Sequence, residues 1–353
     1  MFAELLQPDS LLPEELDLYL ADGWFRMGQS IFTTNFLRFH DHFYSAIWLR
    51  IDLFSFEITN TQKKLLKQNA RFRVEIQPAV LKTEQEELFL PDTEKTSLFE
   101  TSPSLSHLLF DNGRGNIYNT YEINIYDQSR LIAGGFFDLG ATSAAGINCY
   151  YDPEYKKYSL GKFLMFLKMD FCRERGFEFF YPGYFAPGYS MFDYKLDLAK
   201  SALQYLDLTT QFWNPVSEIA SYSIPVEVMT EKLQKLSLIL KENDFEHSFL
   251  YYDFFDAGLV SYLSGMGLME FPVFIYCLKT DANIYNPIVV YDVRDNLYHL
   301  VLSSCMYETE KRKTLINHYS SHLLKVEKDL FANESAEIMA AVILQSIRKQ
   351  QTV

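Results

Sequence analysis

Apolar and polar positions along the 353-residue chain alternate with two different periods, and the switches between them mark out its elements. Leu12-Pro-Glu-Glu-Leu-Asp-Leu-Tyr-Leu opens a short helix behind Ser10 or Leu11, because a proline in the first turn forfeits no hydrogen bond and early acids suit the helix dipole. Alternation predicts strands at Ser30 to Phe36 and His42 to Leu53. Thr59 caps a helix reaching Phe72, with Ile58, Leu65, Leu66 and Phe72 as its apolar stripe, and Arg73 to Leu81 follows as a strand. The acidic stretch from Thr83 to Ser106 holds one or two short helices joined by loops. Tyr118 to Tyr126, Arg130 to Phe137 and Ala144 to Tyr151 are β-rich runs with turn residues between them, as in an antiparallel meander. Ser159 begins a helix that ends at Gly176 as a left-handed cap, and Glu178 to Tyr184 is the next strand.

Beyond Pro215 the pattern changes. Val226 to Glu242 reads as a helix, Phe271 to Thr280 and Pro287 to Cys305 as strands with a turn near Arg294, and Lys311 to Phe331 and Ser335 to Lys349 as two closing helices. No fixed-period repeat or low-complexity tract interrupts this. The chain divides into an N-terminal α/β region over 1–106, a core over 107–215 and an additional α+β region over 216–353. Three antiparallel strands, a helix and a further strand follow the order of the GNAT acyltransferase fold. The expected class is therefore α+β with a GNAT-like core.

The core carries Arg130-Leu-Ile-Ala-Gly-Gly-Phe-Phe-Asp-Leu, Ala144-Ala-Gly-Ile-Asn-Cys-Tyr-Tyr-Asp-Pro, Ser159-Leu-Gly, Phe180-Tyr-Pro-Gly-Tyr and Met191-Phe-Asp-Tyr-Lys, in that order. In order and spacing this resembles the aminoacyl-tRNA-protein transferases, the arginyl- and leucyl-transferases of the N-degron pathway. Gly23-Trp-Phe-Arg-Met-Gly and Thr61-Gln-Lys-Lys-Leu-Leu-Lys-Gln-Asn resemble that family's N-terminal segments. The resemblance covers about 200 residues and leaves the last 140 without a counterpart. It departs from the family in one respect: the N-terminal cysteine cluster is missing, since no cysteine precedes Cys149. His40 and His42 stand at that place and read as an exposed turn, so no metal and no cofactor are expected.

An aminoacyl ester is already activated, so such an enzyme must orient a neutral α-amine, accept a proton and stabilise an oxyanion. The resemblance implies catalytic candidates Asp152, Ser159, Tyr181 and Tyr184, and substrate-binding candidates Tyr151, Gly161, Gly183, Met191, Tyr194 and Lys195. The turn before Ser159 presents a helix N-terminus to an oxyanion or phosphate. Tyr155-Lys-Lys-Tyr-Ser-Leu-Gly replaces the phosphate loop with which GNAT enzymes hold acetyl-CoA, which argues against an acyl-CoA donor. Asp152 either binds the donor's ammonium or caps the turn, the tyrosines either line the site or pack in the core, and Lys195 either pairs with an anion or is solvated.

Composition narrows the partners. Thirty-two basic against 46 acidic side chains give a net charge of −14, which opposes whole-surface attraction to nucleic acid or anionic lipid. Between Thr59 and Lys82, however, six cations face only Glu75, a local excess of +5. Lys63, Lys67 and Arg71 recur every four residues with Lys64 beside them, as either a solvated face or a tRNA contact. Cys149, Cys172, Cys277 and Cys305 form no metal-type spacing and read as buried thiols of a reducing compartment. No apolar run is long enough to span a membrane and no leader is visible, so the expected setting is cytoplasmic, without membrane or DNA partners. The leading expectation is transfer of an amino acid from arginyl- or leucyl-tRNA to the N-terminal α-amine of an acceptor protein, with Asp and Glu as the candidate acceptor ends. A non-catalytic GNAT-fold interaction protein and an N-acyltransferase with another activated donor are the alternatives.

Overall fold

The computed structural model describes residues 1–96, 104–111, 115–219, 224–277, 285–308, 319–320 and 322–350. Its largest element is an eight-stranded sheet. Across the sheet the strands run Trp213–Pro215, Leu203–Leu206, Ile47–Asp52, Phe179–Phe185, Ser143–Tyr151, Arg130–Leu139, Thr120–Asp127 and Arg73–Pro78. The meander from Thr120 to Tyr151 is antiparallel, and the helix Leu160–Glu174 carries the chain over to Phe179–Phe185, which pairs in parallel with Ser143–Tyr151. Every other neighbouring pair in the sheet is antiparallel. Strands from both sides of residue 106 therefore share one hydrogen-bonded sheet.

Alternation along these strands feeds two layers. Phe137 and Ala144 enter a core with Leu160, Leu164 and Met169, which also takes Leu65 and Leu66 of the helix Asn60–Asn69. Ala145 goes to a cluster with Leu16 and Leu20 of the helix Pro13–Ala21, and Phe136 and Tyr150 to one with Phe89 and Leu105. Thr59 and Gln62 form the capping box that starts Asn60–Asn69, with bonds of 3.3 and 2.8 Å. Gly176 ends the crossover helix at φ +76°, as its position in the sequence predicts.

The second unit is a five-stranded antiparallel sheet, Ser248–Tyr251, Val273–Tyr276, Tyr285–Asp292, Leu297–Glu308 and His322–Asn333. The helices Pro225–Glu242 and Ala336–Gln350 close it, with Met229, Leu233 and Leu236 packed among Val289, Met339 and Ile343.

Several expectations need correction. Ser30 to Phe36 is broken into Ser30–Thr34 and Phe36–Phe39, and His42 to Leu53 into His42–Ser45 and Ile47–Asp52, which belong to different sheets. The break falls at Asn35 and Ala46, where the Ala46 N–H donates to the Asn35 carbonyl at the open end of the hairpin and the Asn35 N–H donates to the Phe2 carbonyl. Lys311 to Phe331 is no helix where it is described. His322–Asn333 is a strand paired with Leu297–Glu308, so the long-range ladder overrides the helix-favouring Leu, Lys and Glu residues; residues 311–318 lie outside the described ones. The thiols are unevenly buried: Cys172 and Cys277 are buried, Cys149 is half-buried and Cys305 is exposed.

Candidate active site

Between Ser143–Tyr151 and Phe179–Phe185 the sheet forks. Parallel pairing holds only Ser143 to Ala145 against Phe179 to Tyr181. Above that point Ser143–Tyr151 bulges between Gly146 and Asn148, and Phe179–Phe185 breaks register with Ile47–Asp52 between Phe180 and Gly183. Lys168, fully buried, reaches from the crossover helix into the bulge. Its Nζ donates to the Phe136 and Asn148 carbonyls at 2.9 and 2.6 Å and lies 3.4 Å from Cys149 Sγ. The ammonium thus supplies donors to carbonyls at the point where the bulge disrupts the ladder, and burial pulls its pKa down. Gly135 makes room for it, since a Cβ there would stand 2.9 Å from Nζ.

One wall of the fork ends in Tyr151 and a 3₁₀ turn, Pro153–Tyr158, which delivers the chain to the crossover helix. Ser159 is exposed and left-handed, with φ at +51°; its carbonyl accepts from the Phe163 N–H and its hydroxyl caps nothing. Gly161 sits in the first helical turn, and a Cβ there would meet the Tyr151 ring at 3.8 Å. The ring and the helix N-terminus therefore face each other. Asp152 is engaged on both oxygens: Oδ1 accepts the Glu154 N–H at 2.9 Å and Oδ2 pairs with Arg130.

The other wall is Gly183 and Tyr184. Gly183 is left-handed at φ +84°, and Lys195 Nζ donates a 2.6 Å bond to the Tyr184 carbonyl. Lys195 is 8% exposed, lies against the rings of Tyr184 and Phe192, and has no carboxylate at ion-pair distance among the described residues. Burial pushes its pKa down to about 7. Tyr184 packs edge-on against Trp48 at 5.2 Å and against Phe192 at 5.5 Å, and burial pushes its hydroxyl up to about 12, so it stays protonated at neutral pH. The segment Ser190–Asp197 ties the two walls together, because Asp197 pairs with Lys162 of the crossover helix at 3.6 Å. Met191 and Tyr194 are exposed on this segment, and Tyr194, 41% exposed, lies within electrostatic range of Cys149.

Tyr181 is not brought to this group. It pairs opposite Ala145 in the closed part of the fork and is buried under Pro13–Ala21, with its ring 5.7 Å from Trp213 and its hydroxyl beside Arg50.

Lys63, Lys64, Lys67 and Arg71 are all exposed, and the three lysines have no ion pair among the described residues; Arg71 reaches Asp127 at 3.6 Å. Their helix docks beside the fork's outer turn. Gln68 donates to the Lys157 carbonyl and Asn69 to the Tyr158 carbonyl, while Phe72 packs edge-on against Tyr158 at 5.1 Å. Exposed Lys156 and Lys157 in that turn thus extend the basic face toward the helix N-terminus. The sequence reading did not assign these two, although the Lys-Lys pair stands in the replaced phosphate loop. It also missed Lys168 and Trp48, which only pairing across the sheet reveals. Among the described residues no group of three His, Cys, Asp or Glu side chains is placed to hold a metal, and no helix is long and apolar enough to cross a membrane.

Residues 63–205, which take in most of the basic helix, both walls of the fork and Lys195, match the family model of the arginine-tRNA-protein transferase C terminus. An aspartate/glutamate leucyltransferase of Leptospira interrogans is 27% identical over 193 residues, covering 53% of this chain and 73% of the relative. One from Campylobacter jejuni is 23% identical over 192 residues, covering 52% and 78%. Among solved structures, FemX overlays with a TM-score of 0.32 at 10% identity, covering 53% of this chain and 64% of that one.

Proposed function

We propose, for a chain whose residues 63–205 match the model of the arginine-tRNA-protein transferase C terminus, that it transfers leucine from leucyl-tRNA to the N-terminal α-amine of proteins beginning with Asp or Glu. The choice of leucine and of acidic acceptors follows the names of its relatives. The observation that carries the acceptor side is Lys195, a buried cation with no carboxylate partner at the fork. Holding an ammonium in such a site costs free energy that an incoming carboxylate offsets, so the fork favours an acceptor with an acidic first side chain.

In this reading the acceptor's α-nitrogen attacks the ester carbonyl of the aminoacyl-tRNA, a C–N bond forms, the bond to the terminal ribose oxygen breaks, and the amine's proton leaves with that oxygen. Free N–H groups of the first turn at Leu160 and Gly161 stabilise the developing oxyanion, and the Tyr151 ring packs over the donor. The protonated Tyr184 hydroxyl is a hydrogen-bond donor at the same opening. Gly183, Met191 and Tyr194 line the approach of substrate, and Ser159 sets the angle at which the helix meets it. Asp152 holds the turn rather than the donor. Lys63, Lys64, Lys67 and Arg71 with Lys156 and Lys157 receive the tRNA backbone.

The antiparallel meander, crossover helix and parallel strand support a GNAT-like reading of the core. We assign 107–215, with the strands that 1–106 adds to the same sheet, to transfer, and 216–353 to an additional unit. Dependence on charged tRNA makes the cytoplasm the expected compartment. Incubation with leucyl- or arginyl-tRNA and peptides beginning Asp, Glu or Ala tests the reading. Modification of the acidic peptides by leucine is expected, and no product from any charged tRNA would overturn it.

A further inference from the structure

A cavity of about 780 Å³ lies at the seam between the two units. Trp24, Trp48 and Tyr205 wall it from the side of the large sheet, and Val228, Val293 and Arg294 from the second unit. The size is that of a ligand site, and unit interfaces are where such sites concentrate. Trp48 is shared with the fork, since the ring that faces the cavity also packs at 5.2 Å on Tyr184. The strand carrying Trp48 is hydrogen-bonded directly to the one carrying Gly183.

The cavity's charge is one-sided. Glu4, Asp22 and Asp207 contribute carboxylates. Of the lining cations, Arg294 is already held by both oxygens of Asp292, which leaves only the α-amine of Met1. Carboxylates beside three aromatic rings suit a cationic side chain, which gains from both. An extended chain advances about 3.3 Å per residue and neighbouring strands lie about 4.8 Å apart, so a peptide with its α-amine in the fork needs only a few residues to pass the strand that separates it from the cavity.

We infer that this cavity holds the acceptor polypeptide downstream of its first residue and selects basic side chains there, its walls drawn from the N-terminal segments and the second unit, with Tyr205 as the contribution of the family-matched residues 63–205. The inference rests on the transferase reading, and one experiment separates the two. Two of the chain's three tryptophans, Trp24 and Trp48, line the cavity, so tryptophan emission reports its occupancy. An Asp-initiated peptide with Lys and Arg at its third and fourth positions is compared with the same peptide carrying Glu there, by emission titration and by leucyl transfer. The basic peptide is expected to bind and react at least tenfold better, and the gap should close to within twofold in the double variant Glu4→Gln, Asp22→Asn. Equal modification of both peptides with no difference in binding overturns the cavity assignment and leaves the transferase reading standing. Selective binding of the basic peptide with no transfer to either overturns the transferase reading, and with it the acceptor as the occupant.

Discussion

Lys195 Nζ lies 3.3 Å from the point where a Cβ on Gly183 would stand, so the ammonium and the strand backbone share one small space. Gly183 is also left-handed. Gly183→Ala should cost about 1 to 2 kcal/mol of stability through strain alone and should displace the ammonium as well. Gly188 is the control, with φ at +83° but only the Tyr44 ring 3.8 Å from its built Cβ. The two alanine variants should melt at similar temperatures, while only Gly183→Ala loses most of its kcat/KM.

The pH dependence of stability follows from Lys195. Its pKa is about 7 when folded, well below the value of about 10.4 expected for an unfolded chain, so between these limits the unfolded state binds more protons. Stability from this group is fully present above the unfolded pKa, falls as pH drops toward 7, and is flat below. Lys195→Met removes the cost of the buried charge. Melting curves should show the variant more stable than wild type at pH 6 and 7, with the gap closing toward pH 10.

Binding of an acidic peptide has the opposite sign, because the carboxylate needs the charged lysine. Affinity for an N-acetylated Asp peptide, whose α-amine cannot titrate, should weaken up to tenfold per pH unit above 7 in wild type. It should be pH-independent in Lys195→Met over the same range, as calorimetry can read.

Replacing Lys63, Lys67 and Arg71 by Gln should weaken tRNA binding and reduce the slope of log affinity against log salt by about 2 to 3. Fluorescence anisotropy at several salt concentrations measures this. An unchanged slope would make the exposed face a solvated surface only.

Asp152 separates a structural role from a chemical one. Its partner Arg130 is 58% exposed, so the ion pair contributes little, and Asn can still accept the Glu154 N–H. Asp152→Asn should cost under about 1 kcal/mol and change kcat/KM less than threefold, whereas Asp152→Ala should cost about 1 kcal/mol through loss of the cap.

The local elements were legible where one segment carried its own signal. Thr59 and Gln62 announce a capped helix, Gly176 a left-handed end, and Asp127-Gln-Ser a turn between two strands. The fork was not legible, because it depends on where parallel pairing stops and on a bulge filled by Lys168, twenty residues away from Asn148. Lys195 was visible as part of a motif, but its burial and lack of a counter-ion arise only when Phe192 and Tyr184 close around it. Tyr181 and Tyr184 look equivalent in the sequence. Tyr181 lies beneath Pro13–Ala21 in the paired part of the fork, and Tyr184, beyond the register break between Phe180 and Gly183, stands at the opening.

The most direct test of the fork as the transfer site is the rate of leucine transfer from leucyl-tRNA to an Asp-initiated peptide by wild type and by Lys195→Met, each shown by its melting curve to be folded. Wild type should add one leucine to the peptide, and the variant should lose about 100-fold in kcat/KM, the effect of about 2.7 kcal/mol expected from removing a buried charged partner. Equal rates in the two proteins would contradict the account.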